Sequence, residues 1–179
     1  MRSILAMLLG AGLCLLSGTA LAAQETTPPN WRDWNFLIGE WVGTGNGQPG
    51  QGTGGFTFKP DLQQHVLVRT NRAEYPAAKE RPAYKHDDLM VIYHETAASP
   101  LRAIYFDNEG HVIHYAVRID AADETAIFLS ESEAGTPGYR LSYVGKTADT
   151  VNIKFEVAPP DKPEQFQTYI EATAKRTLK

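Results

Sequence analysis

Val151-Asn152-Ile153-Lys154-Phe155-Glu156-Val157 alternates apolar and polar side chains at every step, as a strand with one dry face and one wet face requires. The same period of two runs through most of the chain beyond residue 30. It predicts strands near Glu40–Gly45, Gly55–Lys59, His65–Tyr75, Asp88–Glu95, Leu101–Asp107, His111–Asp120, Thr125–Glu131, Tyr139–Val144, Val151–Val157 and Gln167–Arg176. The connections between them are short. Asp107-Asn108-Glu109-Gly110 places residues tolerant of positive φ between two strand-like runs, and Pro60-Asp61-Leu62-Gln63-Gln64 reads as another tight turn. Successive hairpins make a meander, and a meander of about ten strands removes its exposed edges by closing on itself. The predicted fold is therefore all-β, an up-and-down barrel of about ten antiparallel strands. Only Trp31 to Ile38 reads as helix-capable, a short N-terminal segment fit to lie against one barrel end.

Two stretches break the alternation. Gly43 to Gly55 holds seven of the fifteen glycines and predicts a bend, a bulge or a loop at the barrel mouth. It has no Gly-Lys-Ser/Thr and no following helix pattern, so it is not a phosphate loop. Pro76 to His86, with Lys79, Glu80, Arg81 and Lys85, reads as a solvated charged loop.

The chain has 179 residues, enough for one domain, and the reading divides it into residues 1–23, a polar lead-in at 24–30 and a barrel domain at 31–179. The first part reads as a cleaved signal peptide: Arg2 is the basic start, Ile4 to Leu16 the apolar centre, and Ala20-Leu21-Ala22 or Leu21-Ala22-Ala23 the cleavage site. The apolar centre is too short and too rich in glycine for a membrane span. Localisation is thus expected to be periplasmic or secreted. Cys14, the single cysteine, lies in that apolar centre. Cleavage would leave no thiol for a disulfide, a nucleophile or a metal. A lipid anchor on Cys14 is the alternative, but Leu13 stands where a lipobox has a small residue. With 17 basic against 21 acidic residues the chain lacks the positive stripe a nucleic acid demands.

Taking the more apolar parity of each strand as inward puts Leu89, Val91 and Tyr93, Leu101, Ala103 and Tyr105, Ile113, Tyr115 and Val117, Tyr139, Leu141 and Tyr143, and Ile153, Phe155 and Val157 in the lumen. Tyrosines recur on that face. Either they line a cavity for an amphipathic ligand, oriented by phenol hydroxyls, or they fill a solid core. Arg72 shares the parity of Val66, Val68 and Thr70, so it is expected either to anchor an anionic head inside or to pair with Glu74. Arg69, Arg102, Arg118 and Lys154 have the opposite parity and are expected to be solvated, as is Glu156. His111 and His114 fall on opposite faces of a strand; His86-Asp87-Asp88, joined by His94 or His65, is a better cation-binding group, though its bland reading is solvated charge. No hydrolase elbow, Ser-x-x-Lys or cofactor motif is present, so no metal and no cofactor are expected.

Gly39-Glu40-Trp41, preceded by Phe36-Leu37-Ile38 and followed by a glycine-rich strand, resembles the start of calycin or lipocalin-like barrels. The resemblance implies that the Trp of this Gly-x-Trp closes the barrel floor. It extends to exported bacterial lipocalin-like proteins of unassigned function and, more distantly, to nitrobindin-like haem barrels. The haem version implies a His near the C-terminal end, whereas the last His here is His114, leaving Tyr169 or an earlier His. The leading expectation is a barrel binding a small apolar or amphipathic molecule through Trp41, Arg72, Tyr93, Tyr105, Tyr115 and Tyr143. The alternative is a metal-independent isomerase or cyclase using lumen tyrosines such as Tyr93, Tyr105 and Tyr115.

Overall fold

The computed structural model describes residues 27–43, 52–77 and 82–177. The expected signal peptide, the glycine-rich stretch 44–51 and the tip of the charged loop at 78–81 lie outside the described residues. Ten antiparallel strands follow one another: β1 (Gly39–Gly43), β2 (Thr53–Asp61), β3 (Val66–Tyr75), β4 (Tyr84–His94), β5 (Leu101–Asp107), β6 (Val112–Asp120), β7 (Thr125–Ser130), β8 (Gly138–Thr147), β9 (Thr150–Ala158) and β10 (Gln167–Arg176). Each pairs with its neighbour in sequence, and β1 pairs with β10, so the sheet closes into an up-and-down barrel. All ten predicted strands are present, most with small shifts at their ends; β4 begins four residues earlier than expected, so Tyr84 to His86, expected in the solvated charged loop, belong to the strand, and His86 turns into the lumen. The helix-capable segment is a single 3-10 turn, Arg32–Trp34.

That turn plugs one end of the barrel. Trp34 is 2% exposed, with its ring 6.0 Å from those of Phe58 and Phe128. The Gly39-Glu40-Trp41 motif has its physical reason beside it. Gly39 sits at φ +130°, where a side chain is disfavoured, and a Cβ there would meet the Arg176 guanidinium. Arg176 lies 4.3 Å over the Trp41 ring and donates to the carbonyls of Phe36 and Ile38, while the Trp41 indole donates to the Leu37 carbonyl at 2.8 Å. The last strand is thereby tied to the chain entering the first. The β2–β3 turn belongs to this end: Leu62, Gln63 and Gln64 all take positive φ, and the Gln64 carbonyl accepts from Trp31 at 2.8 Å.

Phe58, Leu67, Ile92, Phe128, Tyr143 and Val151 are almost wholly buried, so this half of the barrel is solid. Toward the other end, where β4 begins and β5 ends, the inward residues Asn71, His86, Tyr105, Ile113, Tyr139, Ile153 and Phe155 are only partly buried.

The predicted inward parity holds in β5, β6, β8 and β9 and is reversed in two strands. In β4 the inward residues are Asp88, Met90 and Ile92, the last two fully buried, while Leu89 is 39% exposed and Tyr93 lies on the outer face with it. In β3 Leu67 and Arg69 are buried and Arg72 is exposed. Arg69 is therefore inside and Arg72 outside. The cause is physical: on these strands the inner face mixes Arg69 and Asp88 with Leu67, Met90 and Ile92, and the outer face mixes Val68, Leu89 and Val91 with Arg72 and Asp87, so apolar content alone does not separate the faces. Glu156 keeps its expected outward parity in β9 but is 4% exposed, beneath Arg140 and Lys154.

Candidate functional site

The partly buried half of the lumen, called the cup below, has two unlike walls. Asp88 of β4 anchors the polar wall: its carboxylate accepts from Arg69 of β3, from Asn71 at 2.9 Å, and faces His86 Nε2 at 3.4 Å. Register explains the meeting, since Asn71 pairs with Asp88 across the β3–β4 ladder and Arg69 and His86 are two residues away on their strands. His86 Nε2 lies 3.1 Å from the Tyr105 hydroxyl, which in turn donates to Asp107 at 3.2 Å. Asp107 also accepts from the His111 ring at 2.8 Å and from the backbone N–H groups of Glu109 and His111. The chain of polar contacts thus runs from the exposed β5–β6 turn down to a buried guanidinium.

Electrostatics fix the protonation states. The hydrogen bond to Asp88 pushes the His86 pKa up to about 9 against the opposing effect of burial, with Glu109 at 2.9 Å from Nδ1 assisting. His86 is therefore a cation at neutral pH. Burial raises the Tyr105 phenol far above its ordinary range, and the carboxylates of Asp88 and Asp107 raise it further, so it stays a donor. Burial opposes the Arg69 charge, but Asp88 together with the Tyr143 and Tyr105 phenols outweighs it and keeps the guanidinium protonated. Arg69 lies 5.9 Å from both the Phe56 and Tyr143 ring centres. Its Nε and the Tyr143 hydroxyl are buried without a well-formed hydrogen bond, and burial raises that phenol to about 12. The polar floor is thus tightly enclosed and incompletely satisfied.

The facing wall is apolar. Tyr139 of β8 stacks on Phe155 of β9 at 5.8 Å and 9°, and Tyr169, at the bulge of β10 between Thr168 and Ile170, meets Phe155 edge-on at 6.3 Å. Ile113 and Ile153 pack between this wall and the core.

No protein-family model matches this chain, and no curated protein matches it significantly in sequence. The site has to be read from its own residues.

Of the six expected binding residues, Tyr105 lines the cup. Tyr115 and Tyr143 lie below it, 2% and 0% exposed. Trp41 is at the plugged end, stacked on Phe56 at 5.9 Å. Tyr93 and Arg72 are outside, and Arg72 donates to Asp87 at 2.9 Å rather than to anything in the lumen. Arg69, Asp88, Asn71 and His86, which build the polar wall, were not among the six. The one sequence signal was the triplet His86-Asp87-Asp88, in which His86 and Asp88 share the inner face and Asp87 points out.

The described histidines do not fit a haem iron. An axial imidazole needs a free lone pair aimed into the lumen. His65 lies in the β2–β3 turn at the plugged end, His86 has both nitrogens engaged, His94 is bonded to the Ser99 carbonyl at the plugged end, His111 is bonded to Asp107, and His114 points outward. Among the described residues, no three His, Cys, Asp or Glu side chains converge as a metal site. A shallow depression of about 570 Å³ is lined by the outward Glu40, Val42, Thr57, Thr70, Arg72 and Asp87 and also borders Trp41, Phe56, Asn71 and Asp88; it is open to solvent and offers a ligand little enclosure.

Proposed function

We propose that this chain is an exported, lipocalin-like binding protein whose cup holds a small amphipathic molecule. The observation that carries the reading is the division of the cup into a polar wall of Asn71, His86 and Tyr105 and an aromatic wall of Tyr139 and Phe155, above a solid floor. Apolar walls supply affinity by removing ligand surface from water, and a few fixed polar groups orient the ligand. The polar wall suits the polar end, while the Tyr139–Phe155 stack suits a flat or aliphatic body. The leader-like residues 1–23 support export.

Native and denaturing mass spectra of the protein from its own host's envelope test this reading. A stoichiometric extra mass that is lost on denaturation, and that is absent from a Tyr139→Ala, Phe155→Ala variant of unchanged circular dichroism, is the expected result. A bare chain in the native spectrum, with no uptake from a total lipid and metabolite extract of the same host, would overturn it.

A further inference from the structure

The outer face of β4, β5 and β6 is largely apolar beside the β5–β6 turn, interrupted by His114 next to Ile104 and by Arg102 next to Ala116. Leu89, Phe106 and Val112 are cross-strand neighbours on β4, β5 and β6, exposed by 39%, 41% and 56%. Val91 and Ile104 form the next row, and Leu129 of β7, 44% exposed, extends the surface sideways beyond Ala116. Elsewhere the outer face carries charge, with Lys59 on β2, Arg140 on β8, Lys154 on β9, and Glu171 and Lys175 on β10. The apolar surface is thus one flank of the barrel rather than a girdle around it.

We infer that this flank is a docking face for a second copy of the same chain, packed sheet to sheet across a two-fold axis. The area fits. These side chains form an exposed surface on the scale of a typical monomer's largest apolar patch, roughly 300–600 Å². A standard interface buries roughly 800 Å² on each partner, a little over half of it apolar.

The charges at its margins favour a copy over a charged partner. Arg102 lies between Glu131 at 3.1 Å and Glu95 at 3.6 Å, and Arg72–Asp87 and Lys85–Glu74 border the β3–β4 side. Both signs are present on each margin, so a two-fold can set cation against anion without residual repulsion. A net charge of −4 disfavours an anionic lipid surface.

Sedimentation velocity of the full chain as its host processes it, from about 1 µM to about 500 µM, tests the inference. The expected result is a concentration-dependent dimer, weakened at least tenfold by Phe106→Glu and by Val112→Glu, while Lys59→Glu on the far flank leaves it unchanged. Hydrogen exchange on the unaltered protein provides a readout that needs no variant: β5 and β6 amides should slow at high concentration. A monomer throughout the range overturns the proposal, as does a dimer equally weakened by Lys59→Glu. Monomeric protein that floats with zwitterionic lipid vesicles would assign the flank to a membrane instead.

Discussion

The β3–β4 wall and the β8–β9 wall obey the same strand geometry yet distribute their polarity differently. On β8 and β9 the inner face holds Tyr139, Leu141, Tyr143, Ile153 and Phe155 and the outer face holds Arg140, Ser142, Asn152, Lys154 and Glu156. On β3 and β4 the inner face adds Arg69, Asn71, His86 and Asp88 to the buried Leu67, Met90 and Ile92, and the outer face adds Val66, Val68, Leu89, Val91 and Tyr93 to the charged Arg72, Glu74, Lys85 and Asp87. A wall that only encloses a core can follow hydrophobicity alone. A wall that places charge in the lumen must find inward partners for that charge, and this one also turns aliphatic side chains outward.

The greatest contrast is expected on breaking the buried pair. Asp88→Ala strands the Arg69 cation and should cost about 3–5 kcal/mol in urea denaturation, whereas Arg69→Met with Asp88→Leu should recover most of that loss. A double variant as unstable as Asp88→Ala would show that the pair supports more than its own charges. Neighbours on β4 should then separate. Met90→Ala opens a cavity and should cost about 2–5 kcal/mol, while Leu89→Ala, one residue away, should cost well under half of that. Equal losses would erase the assignment of faces.

The two walls should also titrate in opposite directions. His86 has its folded pKa raised to about 9 from 6.5, so the stability it contributes is complete below pH 6.5 and is lost as pH rises through 9. Glu156 is lowered to about 2 from 4.5, chiefly by its hydrogen bond from Arg140, so its contribution is present above pH 4.5 and is lost as pH falls through 2. Each should be worth about 1–3 kcal/mol. His86→Gln should flatten the alkaline limb and leave the acid limb alone, and Glu156→Gln the reverse. The smallest effect is expected at the rim: a double-mutant cycle on the exposed Arg72–Asp87 pair should show little or no coupling.

The same comparison explains what the sequence made legible. Strand count, order, the β5–β6 hairpin and the plugging segment follow from period-two patterning and turn residues, which do not depend on which face is inward. The lumen of β8 and β9 was legible because the two parities there differ sharply in polarity. Arg69 and Asp88 were not, because a buried ion pair is polar residues on two strands, and only the register that sets Asn71 opposite Asp88 reveals that they meet. Glu156 was misjudged for a related reason. Parity places a side chain on a face, but the Arg140 and Lys154 side chains decide whether that face is covered.

The central claim is that β4 turns Asp88, Met90 and Ile92 inward and Leu89, Val91 and Tyr93 outward. It is tested most directly by maleimide labelling of Leu89→Cys and Met90→Cys in the folded protein, with Cys14 replaced by Ser in both. Rapid labelling at position 89 and labelling at 90 slower by at least a hundredfold, limited by unfolding, is the predicted result. Comparable rates, or a faster reaction at position 90, would contradict the account.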